Sequence, residues 1–294
     1  MLEEVKPFVK WAGGKRQLLQ ELVDGLPEFE NYHEPFLGGG ALFFRLEAVG
    51  KIKRAYLSDS NEELINTYSA VKNNVFELIN ELSIPKYSND EEAYYAIRPS
   101  KPLDRVERAA RFIYLNKTAF NGLYRVNSKG GFNVPFGRYS NPKILDGKNL
   151  LLVHRALQKD ALYNGDFTIV LNNAKRGDLV YFDPPYFPIS KTSSFTGYTK
   201  DSFTEEDQLR LLEAFKELDK RGCFVLLSNS HSDFISELYA EFEPEVVHAN
   251  RMINCKGDRR GKVKELIVRN WEPEVSKGKL VEEIAAGTRL YEKE

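Results

Sequence analysis

The run Asp183-Pro184-Pro185-Tyr186 places a carboxylate, carbonyl oxygens without a ladder partner and an aromatic ring directly after a short apolar stretch, Leu179 to Phe182. Proline cannot donate a hydrogen bond to a β-ladder, so two consecutive prolines predict that a strand ends here. In open α/β sheets, ligands bind at this carboxyl end of the strands. Hydrogen-bond acceptors beside a ring face suit a flat, amino-bearing ring, although a strand-terminating turn with a surface acid has the same pattern.

Two glycine-rich turns come earlier in the chain, at Trp11-Ala12-Gly13-Gly14-Lys15 and Pro35-Phe36-Leu37-Gly38-Gly39-Gly40. Glycine lets a ligand approach the backbone closely, and the free N–H groups of a helix N-terminus follow each turn. Neither turn has Gly-x-Gly-x-x-Gly or P-loop spacing. Asp59 ends the next predicted strand, where an acid typically binds ribose hydroxyls, and Asn164 to Phe167 sets another acid beside a ring. Together these features favour an adenosine-containing cofactor over ordinary turns.

The segment from Arg125 to Tyr139 alternates arginine, asparagine and aromatic residues with glycine, and it predicts an exposed hairpin. A paired arginine fork can bind the major-groove edge of guanine, and asparagine can do the same for adenine. The segment therefore predicts either a DNA-reading hairpin or a hairpin of ordinary surface polarity.

Charge is distributed unevenly along the 294 residues, whose net charge is only -1. Residues 98–155 contain 12 Lys or Arg against three acids, a local charge of +9, and residues 251–264 contain six against one. This asymmetry favours a nucleic-acid-binding face on an otherwise acidic protein over a basic surface that is merely solvated.

The composition narrows the class of protein further. The hydrophobic content is 42% and the mean hydropathy is -0.45. There is no apolar run near 18 residues and no secretory signal pattern, so we expect a cytoplasmic protein without a membrane partner. Two cysteines, Cys223 and Cys255, fit a reducing compartment, and the histidines and cysteines lack metal-ligand spacing. We therefore expect no metal.

Three zones and a tail can be distinguished. Residues 1–62 and 156–271 alternate strands and helices, which predicts one sheet domain interrupted by a helical, basic insertion at 63–155. Residues 272–294 are a polar tail. The predicted strands are Tyr32 to Glu34, Arg54 to Ser58, Thr168 to Leu171, Leu179 to Phe182, Cys223 to Leu227 and segments near Val246 and Leu266. The predicted helices of the sheet domain are Gln17 to Leu26, Ala41 to Val49, Glu205 to Arg221 and Asp233 to Ala240.

Taken together and in this order, six motifs resemble those of the DNA adenine methylase (Dam) family, which includes adenine methyltransferases of GATC-type restriction systems. The resemblance covers about residues 6–271. The motifs are Lys10 to Lys15, Pro35 to Gly40, Ser58-Asp59, Phe132 to Tyr139, Gly165 to Phe167 and Asp183 to Tyr186. The resemblance implies an α/β fold, a Rossmann-like methyltransferase sheet with helices on both faces. It also implies an inserted, mainly helical DNA-recognition domain that carries a β-hairpin.

The family further implies S-adenosyl-L-methionine as methyl donor and the N6 amine of adenine in double-stranded DNA, within GATC, as acceptor. A separately encoded cognate restriction nuclease would fit this family. The implied catalytic loop is Asp183, Pro184, Pro185 and Tyr186. The implied cofactor residues are Trp11, Ala12, Gly13, Gly14, Lys15, Phe36, Gly38, Gly39, Asp59, Asp166, Phe167 and Asp183. The implied DNA-binding residues are Arg125, Asn127, Lys129, Asn133, Pro135, Arg138 and Tyr139.

Direct transfer to the adenine amine is consistent with the residues present. The amine is a poor nucleophile, and Asp183 and the Pro184 carbonyl can accept its two N–H groups and stabilise the positive charge that grows on nitrogen. A cytosine ring-carbon methylase would need a Pro-Cys nucleophile, and neither cysteine has a neighbouring proline. The base must leave the duplex, and Tyr186 can stack on it.

Two alternatives remain open from the sequence. The same catalytic loop tolerates an amino-methyltransferase that acts on cytosine N4 or on RNA. A second alternative is an inactive methylase fold that only binds DNA.

Overall fold

A computed structural model of the chain describes residues 4–11, 15, 18–187, 203–250 and 262–273. Most of the predicted polar tail, residues 274–294, lies outside these ranges.

A single seven-stranded sheet forms the centre of the described structure. Its strands are β1 (Tyr32–Glu34), β2 (Ala55–Asp59), β3 (Ala161–Asn164), β4 (Leu179–Phe182), β5 (Phe224–Ser230), β6 (Glu245–Asn250) and β7 (Lys262–Arg269). The strand order is β3-β2-β1-β4-β5-β7-β6. β1 to β5 are parallel, and β7 pairs antiparallel with both β5 and β6. The order reverses between the adjacent strands β1 and β4, and the carboxyl ends at such a switch point form a ligand crevice.

Ten α-helices accompany the sheet in the described ranges. They are α1 (Leu19–Val23), α2 (Ala41–Ala48), α3 (Glu62–Asn73), α4 (Val75–Leu82), α5 (Glu91–Ile97), α6 (Arg105–Thr118), α7 (Gly147–Leu157), α8 (Val170–Asn173), α9 (Glu205–Lys220) and α10 (Asp233–Leu238). Local capping fixes several of their starts. The Asp104 side chain accepts from the Val106 and Glu107 N–H groups in the first turn of α6, and Thr204 and Asp207 form a reciprocal capping box at α9.

Side chains alternate between the two faces of the sheet, as a strand buried on both sides requires. In β4, Leu179 and Tyr181 belong to one hydrophobic cluster, whereas Val180 and Phe182 belong to the other. The first cluster includes buried residues of α1, α2, α3, α4, α6 and α7, and the second includes those of α8, α9 and α10. The expected α/β architecture with helices on both faces is confirmed.

The segment predicted as an insertion contributes α3 to α7 and the hairpin. Its apolar residues share a continuous core with the sheet, because α3 packs against β2 and β3 as well as against α6. The hairpin has two isolated β-bridges, Ala119 with Phe136 and Val126 with Phe132. At its tip the Asn127 side-chain oxygen accepts hydrogen bonds from the Lys129 and Gly131 N–H groups, each at 3.0 Å.

One predicted strand is wrong. Thr168 to Leu171 does not pair in the sheet: Phe167–Ile169 is a 3-10 turn, and α8 begins at Val170. The strand of this region comes earlier, as β3. The physical reason is local, because the Asp166 carboxylate accepts from both the N–H (3.0 Å) and the hydroxyl (2.7 Å) of Thr168 and caps a helical turn.

Other bounds differ by a few residues. The first helix is shorter than predicted because Gly25, with φ of +70°, follows it. β2 extends to Asp59, and β5 extends three residues beyond the predicted end, to Ser230. Both extensions matter for the site, because they add polar side chains at the carboxyl edge of the sheet.

Candidate active site

The carboxylate of Asp183 follows β4 directly and is 22% exposed at the switch point. The hydroxyl of Ser228, on the adjacent strand β5, donates to Asp183 Oδ1 at 3.1 Å. Ser228 Oγ also lies 2.9 Å from the Tyr181 hydroxyl. Because the Ser228 proton points to Asp183, Tyr181 donates to Ser228, and the two hydroxyls form a relay that fixes the carboxylate.

Lys15 adds a positive charge at the same carboxylate. Its Nζ lies 2.7 Å from Asp183 Oδ1, and its side chain is only 4% exposed. Burial raises the pKa of Asp183, and the charge and hydrogen bond of Lys15 lower it. The pKa remains above the ordinary value of 3.8. The Asp183 carboxylate is therefore protonated more readily than an aspartate side chain in water.

The Tyr186 ring lies beside this pair, 4.2 Å from Lys15 Nζ to the ring centre. Its hydroxyl donates to Glu265 on β7. The next residue is anchored on β5: Phe187 N–H donates to Asn229 Oδ1 at 3.5 Å, and the Ser230 hydroxyl donates to the Phe187 carbonyl at 2.7 Å. The loop is thus attached to β5 and to β7.

Sequence reasoning missed these supporting residues. The run Ser228-Asn229-Ser230 is polar yet fully or nearly fully buried, and Asn229 contacts buried Gln208 of α9 at 3.2 Å. A polar run directly after an apolar strand was the available signal. Glu265 gave no such signal, because its contact with the loop spans 79 positions of the chain.

The second glycine turn follows β1 and approaches Asp59 at the end of β2. Asp59 Oδ2 accepts from Gly38 N–H and Oδ1 accepts from Asn61 N–H, both at 2.9 Å. Burial raises the pKa of Asp59 despite these two hydrogen bonds. Gly38 has φ of +47°, and a Cβ there would lie 2.6 Å from Trp11 Cδ1. Only glycine fits between the indole and the turn.

Asp166 and Phe167 follow β3 at the same edge. Phe167 stacks on Phe36 with ring centres 5.4 Å apart, and Phe203 contacts both rings at 5.6 and 5.8 Å. Arg210 of α9 lies 2.9 Å from Asp166 Oδ1. Burial raises the pKa of Asp166, but hydrogen bonds from Thr168 and Arg210 outweigh burial and lower it. Phe203 and Arg210 were not predicted.

Glu34 is a further carboxyl group that the sequence did not single out. It ends β1, is 2% exposed, and accepts from the Tyr32 hydroxyl at 2.9 Å. Burial raises its pKa well above the ordinary value, against the Tyr32 hydrogen bond, and the charge of Asp183 raises it further. The structure thus brings Glu34 close enough to the predicted catalytic carboxylate for the two to interact electrostatically.

The predicted DNA-binding residues lie on and around the hairpin. Arg125 is exposed, and its Nε donates to Asn133 Oδ1 at 2.7 Å. Arg138 pairs with Glu91 at 2.9 Å, and Lys10 Nζ lies 4.4 Å from the centre of the Tyr139 ring. The remaining predicted residues are Asn127 and Lys129 at the tip and Pro135, whose carbonyl accepts from Phe120 N–H at 2.9 Å.

Two large apolar side chains are exposed at the base of this hairpin, Phe120 (46%) and Leu123 (38%). Asn121 between them has φ of +55° and belongs to the tight turn Phe120–Gly122. The exposed Phe120 ring beside basic residues suits stacking on a base.

Three predicted cofactor residues, Ala12, Gly13 and Gly14, lie outside the described residues. Within the described ranges, no group of three or more His, Cys, Asp or Glu side chains is arranged to hold a metal ion. No helix there is long and apolar enough to span a membrane.

A sheet of this order, with a glycine turn after β1, an acid at the end of β2 and an Asp-Pro-Pro-Tyr loop after β4, defines a nucleotide-cofactor methyltransferase fold. Residues 11–253 match the family described as D12 class N6 adenine-specific DNA methyltransferase. The chain belongs to this family.

Several curated relatives are similar over almost their whole length. The type II methyltransferase M.MjaIII of Methanocaldococcus jannaschii is 48% identical, over 91% of this chain and 100% of the relative. The type II methyltransferase M1.LlaDCHI of Lactococcus lactis subsp. cremoris is 45% identical, over 91% and 96%. The DNA adenine methylase of Escherichia coli K12 is 37% identical, over 90% and 95%. The chain is an adenine-specific DNA methyltransferase that depends on S-adenosylmethionine.

The residues at the carboxyl edge fit this cofactor. Gly38 and Gly40 have φ of +47° and +65°, and a Cβ at either would crowd neighbouring rings, so the turn presents bare backbone beside the Asp59 carboxylate. Family membership also favours adenine in DNA as the methyl acceptor over cytosine N4 or RNA, the alternatives that the catalytic loop alone leaves open.

Proposed function

We propose that the protein methylates N6 of adenine within GATC in duplex DNA, by direct transfer to a base that has left the helix. The observation that carries the proposal is the environment of Asp183. Its carboxylate is oriented by Ser228, balanced by Lys15 at 2.7 Å and set beside the Tyr186 ring at the switch point of the sheet. This arrangement offers acceptors for an amino group and a ring face for a base.

When bound, S-adenosylmethionine supplies a methyl group on a positively charged sulfur. Asp183 accepts one N–H of the adenine amine, and the Pro184 carbonyl accepts the other. Holding both N–H groups would direct the nitrogen lone pair toward the methyl group, and the carboxylate would stabilise the positive charge that grows on nitrogen. The N–C bond would form as the S–C bond breaks, and the nitrogen would then release one proton to water. The Ser228 and Tyr181 hydroxyls keep the carboxylate in that orientation.

In this proposal, residues that follow β1, β2 and β3 at the carboxyl edge of the sheet would hold the cofactor. Asp59 binds the ribose hydroxyls, and the Phe36 and Phe167 rings with Asp166 bind the adenosine. The rest of the cofactor site would be lined by Trp11, Ala12, Gly13, Gly14, Lys15, Gly38 and Gly39. The stacking of Phe36 on Phe167 and the closeness of Asp59 to Gly38 support this assignment.

Residues 63–155 form the recognition domain, and within it the hairpin from Arg125 to Tyr139 reads the DNA sequence. Arg125 forks to a guanine, with Asn133 and Pro135 beside it. The surface that contacts the DNA backbone is formed by Asn127, Lys129, Arg138 and Tyr139. Phe120 and Tyr186 offset part of the cost of flipping, which is a few kcal/mol. The local charge of +9 in residues 98–155 supports a DNA-binding role for this face.

We further propose a cytoplasmic enzyme that is paired with a restriction nuclease, since relatives are named type II methyltransferases.

A methylation assay tests the proposal. A duplex with one GATC and twelve duplexes with every single-base change of that site receive a tritiated methyl donor, and the DNA is then digested to nucleosides. We expect label in N6-methyladenine from GATC and at least a tenfold loss for most variants. Label in cytosine would contradict the acceptor. Equal label in all duplexes would contradict the recognition sequence and leave the acceptor intact.

A further inference from the structure

Tyr124 lies at the base of the hairpin, directly before Arg125, and is the centre of an aromatic cluster. Its ring stacks on Trp11 (5.7 Å between centres, 26° between planes) and packs against Phe112 at 5.0 Å and Phe132 at 5.6 Å. Trp11 belongs to the cofactor side of the molecule, and Phe132 belongs to the hairpin. One tyrosine ring therefore joins the two.

The cofactor side of this contact is rigid. Trp11 covers Gly38 so closely that a Cβ at Gly38 would lie 2.6 Å from the indole Cδ1. The indole and the glycine turn cannot move independently, because close-packed groups transmit displacement. A change in the turn is thus passed to the face of Tyr124.

A second route connects Tyr124 to the same turn. The Asn61 side chain is close enough to the Tyr124 hydroxyl to lower the pKa of that tyrosine, although burial raises this pKa overall. Asn61 N–H donates to Asp59 Oδ1, and Gly38 N–H donates to Asp59 Oδ2, both at 2.9 Å. The contacts close a ring from Tyr124 through Asn61, Asp59, Gly38 and Trp11 back to Tyr124.

Asn116 reinforces this connection along the backbone. Its side chain accepts from Lys10 N–H and donates to the Lys10 carbonyl, both at 2.7 Å. It also contacts the Gly122 carbonyl at 3.4 Å. A Cβ at Gly122 would collide with the Lys10 side chain. The residue before Trp11 and the turn before Tyr124 are thereby held together.

We propose that Tyr124 is a positioning residue that couples the cofactor turn to the DNA-reading hairpin, so that cofactor and GATC duplex bind cooperatively. The inference rests on the proposed function, because it takes Asp59 and Trp11 as cofactor residues and Arg125 as a reader. Coupling of this kind is reciprocal: the factor by which the cofactor tightens DNA binding equals the factor by which DNA tightens cofactor binding.

The test measures binding without turnover. The dissociation constant of a fluorescent GATC duplex is determined with and without saturating sinefungin, a non-reactive analogue of the donor. The ratio of the two constants is compared for wild type, Tyr124→Leu and Tyr124→Phe. We expect a ratio of about 10 in the wild type, within the usual range for allosteric coupling, and below about 3 in Tyr124→Leu. Tyr124→Phe keeps the stack, and its ratio should lie between those two values.

A matched control separates positioning from stability. Tyr87 is a buried tyrosine of the helical segment whose ring contacts Tyr114, 5.4 Å away. Tyr87→Leu should lower the melting temperature and leave the ratio at the wild-type value. If Tyr124→Leu does not fold, Tyr124→Phe decides alone, and a ratio below that of the wild type supports the coupling.

Two outcomes overturn the inference. The first is an equal loss of affinity with and without sinefungin in the Tyr124 variants, which leaves the ratio unchanged. The second is a wild-type ratio near 1. Failure of the proposed function looks different, because the wild type would then bind GATC and a scrambled duplex equally well at every sinefungin concentration.

Discussion

Lys15 Nζ lies 2.7 Å from Asp183 Oδ1, and the two residues are 168 positions apart in a chain whose sheet brings them to one edge. The lysine comes from the first predicted glycine turn, and the aspartate directly follows β4. A buried carboxylate without a partner would favour its protonated form. The pair therefore keeps an acceptor available at the carboxyl edge of the sheet, where we propose that the cofactor binds, and several of our predictions depend on it.

Asp183→Asn should lower turnover about a hundred- to a thousandfold, the usual loss when one electrostatic partner of a transition state is removed. The amide can still accept from Ser228, but it cannot stabilise positive charge on nitrogen. Turnover is measured with saturating DNA and donor, beside the melting temperature. Asp233→Asn, an exposed acid in the first turn of α10, serves as the control. A variant at position 183 that keeps more than half of wild-type turnover would exclude the proposed role.

Lys15→Gln should move the acidic limb of the kcat–pH profile to higher pH. Asp183 must be ionised to accept the amine, so kcat falls as pH falls through the pKa of Asp183. Burial raises this pKa and Lys15 lowers it. Loss of the lysine should therefore raise the pKa of Asp183 further. Profiles are recorded at saturating donor. Lys216→Gln, which removes an exposed lysine of α9 paired with Glu241, should leave the limb in place. An unshifted limb in Lys15→Gln would mean that the pair does not control the carboxylate.

Asp59→Ala should raise the dissociation constant for S-adenosylmethionine at least about tenfold, because a hydrogen bond to a charged group contributes about 1.5–3 kcal/mol. The structure adds a second cause, since Gly38 and Asn61 would lose the acceptor of their N–H groups. Asp59→Asn keeps one acceptor and should lie between wild type and Asp59→Ala. Titration calorimetry measures all three, and equal affinities would remove Asp59 from the cofactor site.

Arg125→Ala should relax selectivity at one base pair of the site, at a cost of about 1–3 kcal/mol. Arg125→Lys keeps the charge but not the fork, and it should relax selectivity similarly. Lys129→Ala should instead weaken binding to all duplexes and flatten the salt dependence, because phosphate contacts carry no sequence information. Methylation rates across the single-base variants distinguish these effects. A uniform loss with intact selectivity in Arg125→Ala would assign Arg125 to the DNA backbone.

The sequence predicts those parts of the site that depend on local pattern. Two prolines locate the end of β4, and the spacing after the glycine turn locates Asp59 at the end of β2, so the main carboxylates are found without a structure. The run Thr168 to Leu171 is misleading for the same reason: its β-branched residues favour a strand, but the Asp166 side chain caps a helical turn there. A single side-chain cap outweighs a weak strand propensity.

Contacts between distant segments cannot be predicted in this way. Glu265 accepts a hydrogen bond from the Tyr186 hydroxyl because β7 pairs with β5. No local pattern in the sequence specifies this antiparallel pairing. The stack of Trp11 on Tyr124 likewise joins residues 113 positions apart, and each is an ordinary aromatic residue in its own segment. Such pairs are determined by the packing of whole elements, and packing is a property of the folded chain.

Asp160→Asn should stabilise the protein at neutral pH and not at pH 4. Asp160 precedes β3, is 3% exposed, and accepts from Ala55 N–H at 2.7 Å. Burial, with a contribution from the charge of Glu47, raises its pKa from 3.8 to about 6. The folded state thus binds this proton more tightly than the unfolded state, so stability falls as pH rises from about 4 to 6 and then stays constant. Each unit of pKa shift corresponds to about 1.4 kcal/mol, so the variant should recover about 3 kcal/mol above pH 7.

The measurement for Asp160→Asn is urea unfolding of wild type and variant between pH 4 and 8, compared as a difference so that other carboxylates cancel. Asp146→Asn is a control of opposite sign. Asp146 caps α7 and pairs with Lys143 at 2.8 Å. Although burial raises the pKa of Asp146, the Lys143 and backbone hydrogen bonds outweigh burial and lower it. Asp146→Asn should therefore lose stability at every pH from 4 to 8, because the lowered pKa of Asp146 lies below this range. If the Asp160→Asn difference is the same at pH 4 and pH 8, the Asp160 carboxyl titrates alike in the folded and unfolded chain, and burial at the start of β3 carries no electrostatic cost.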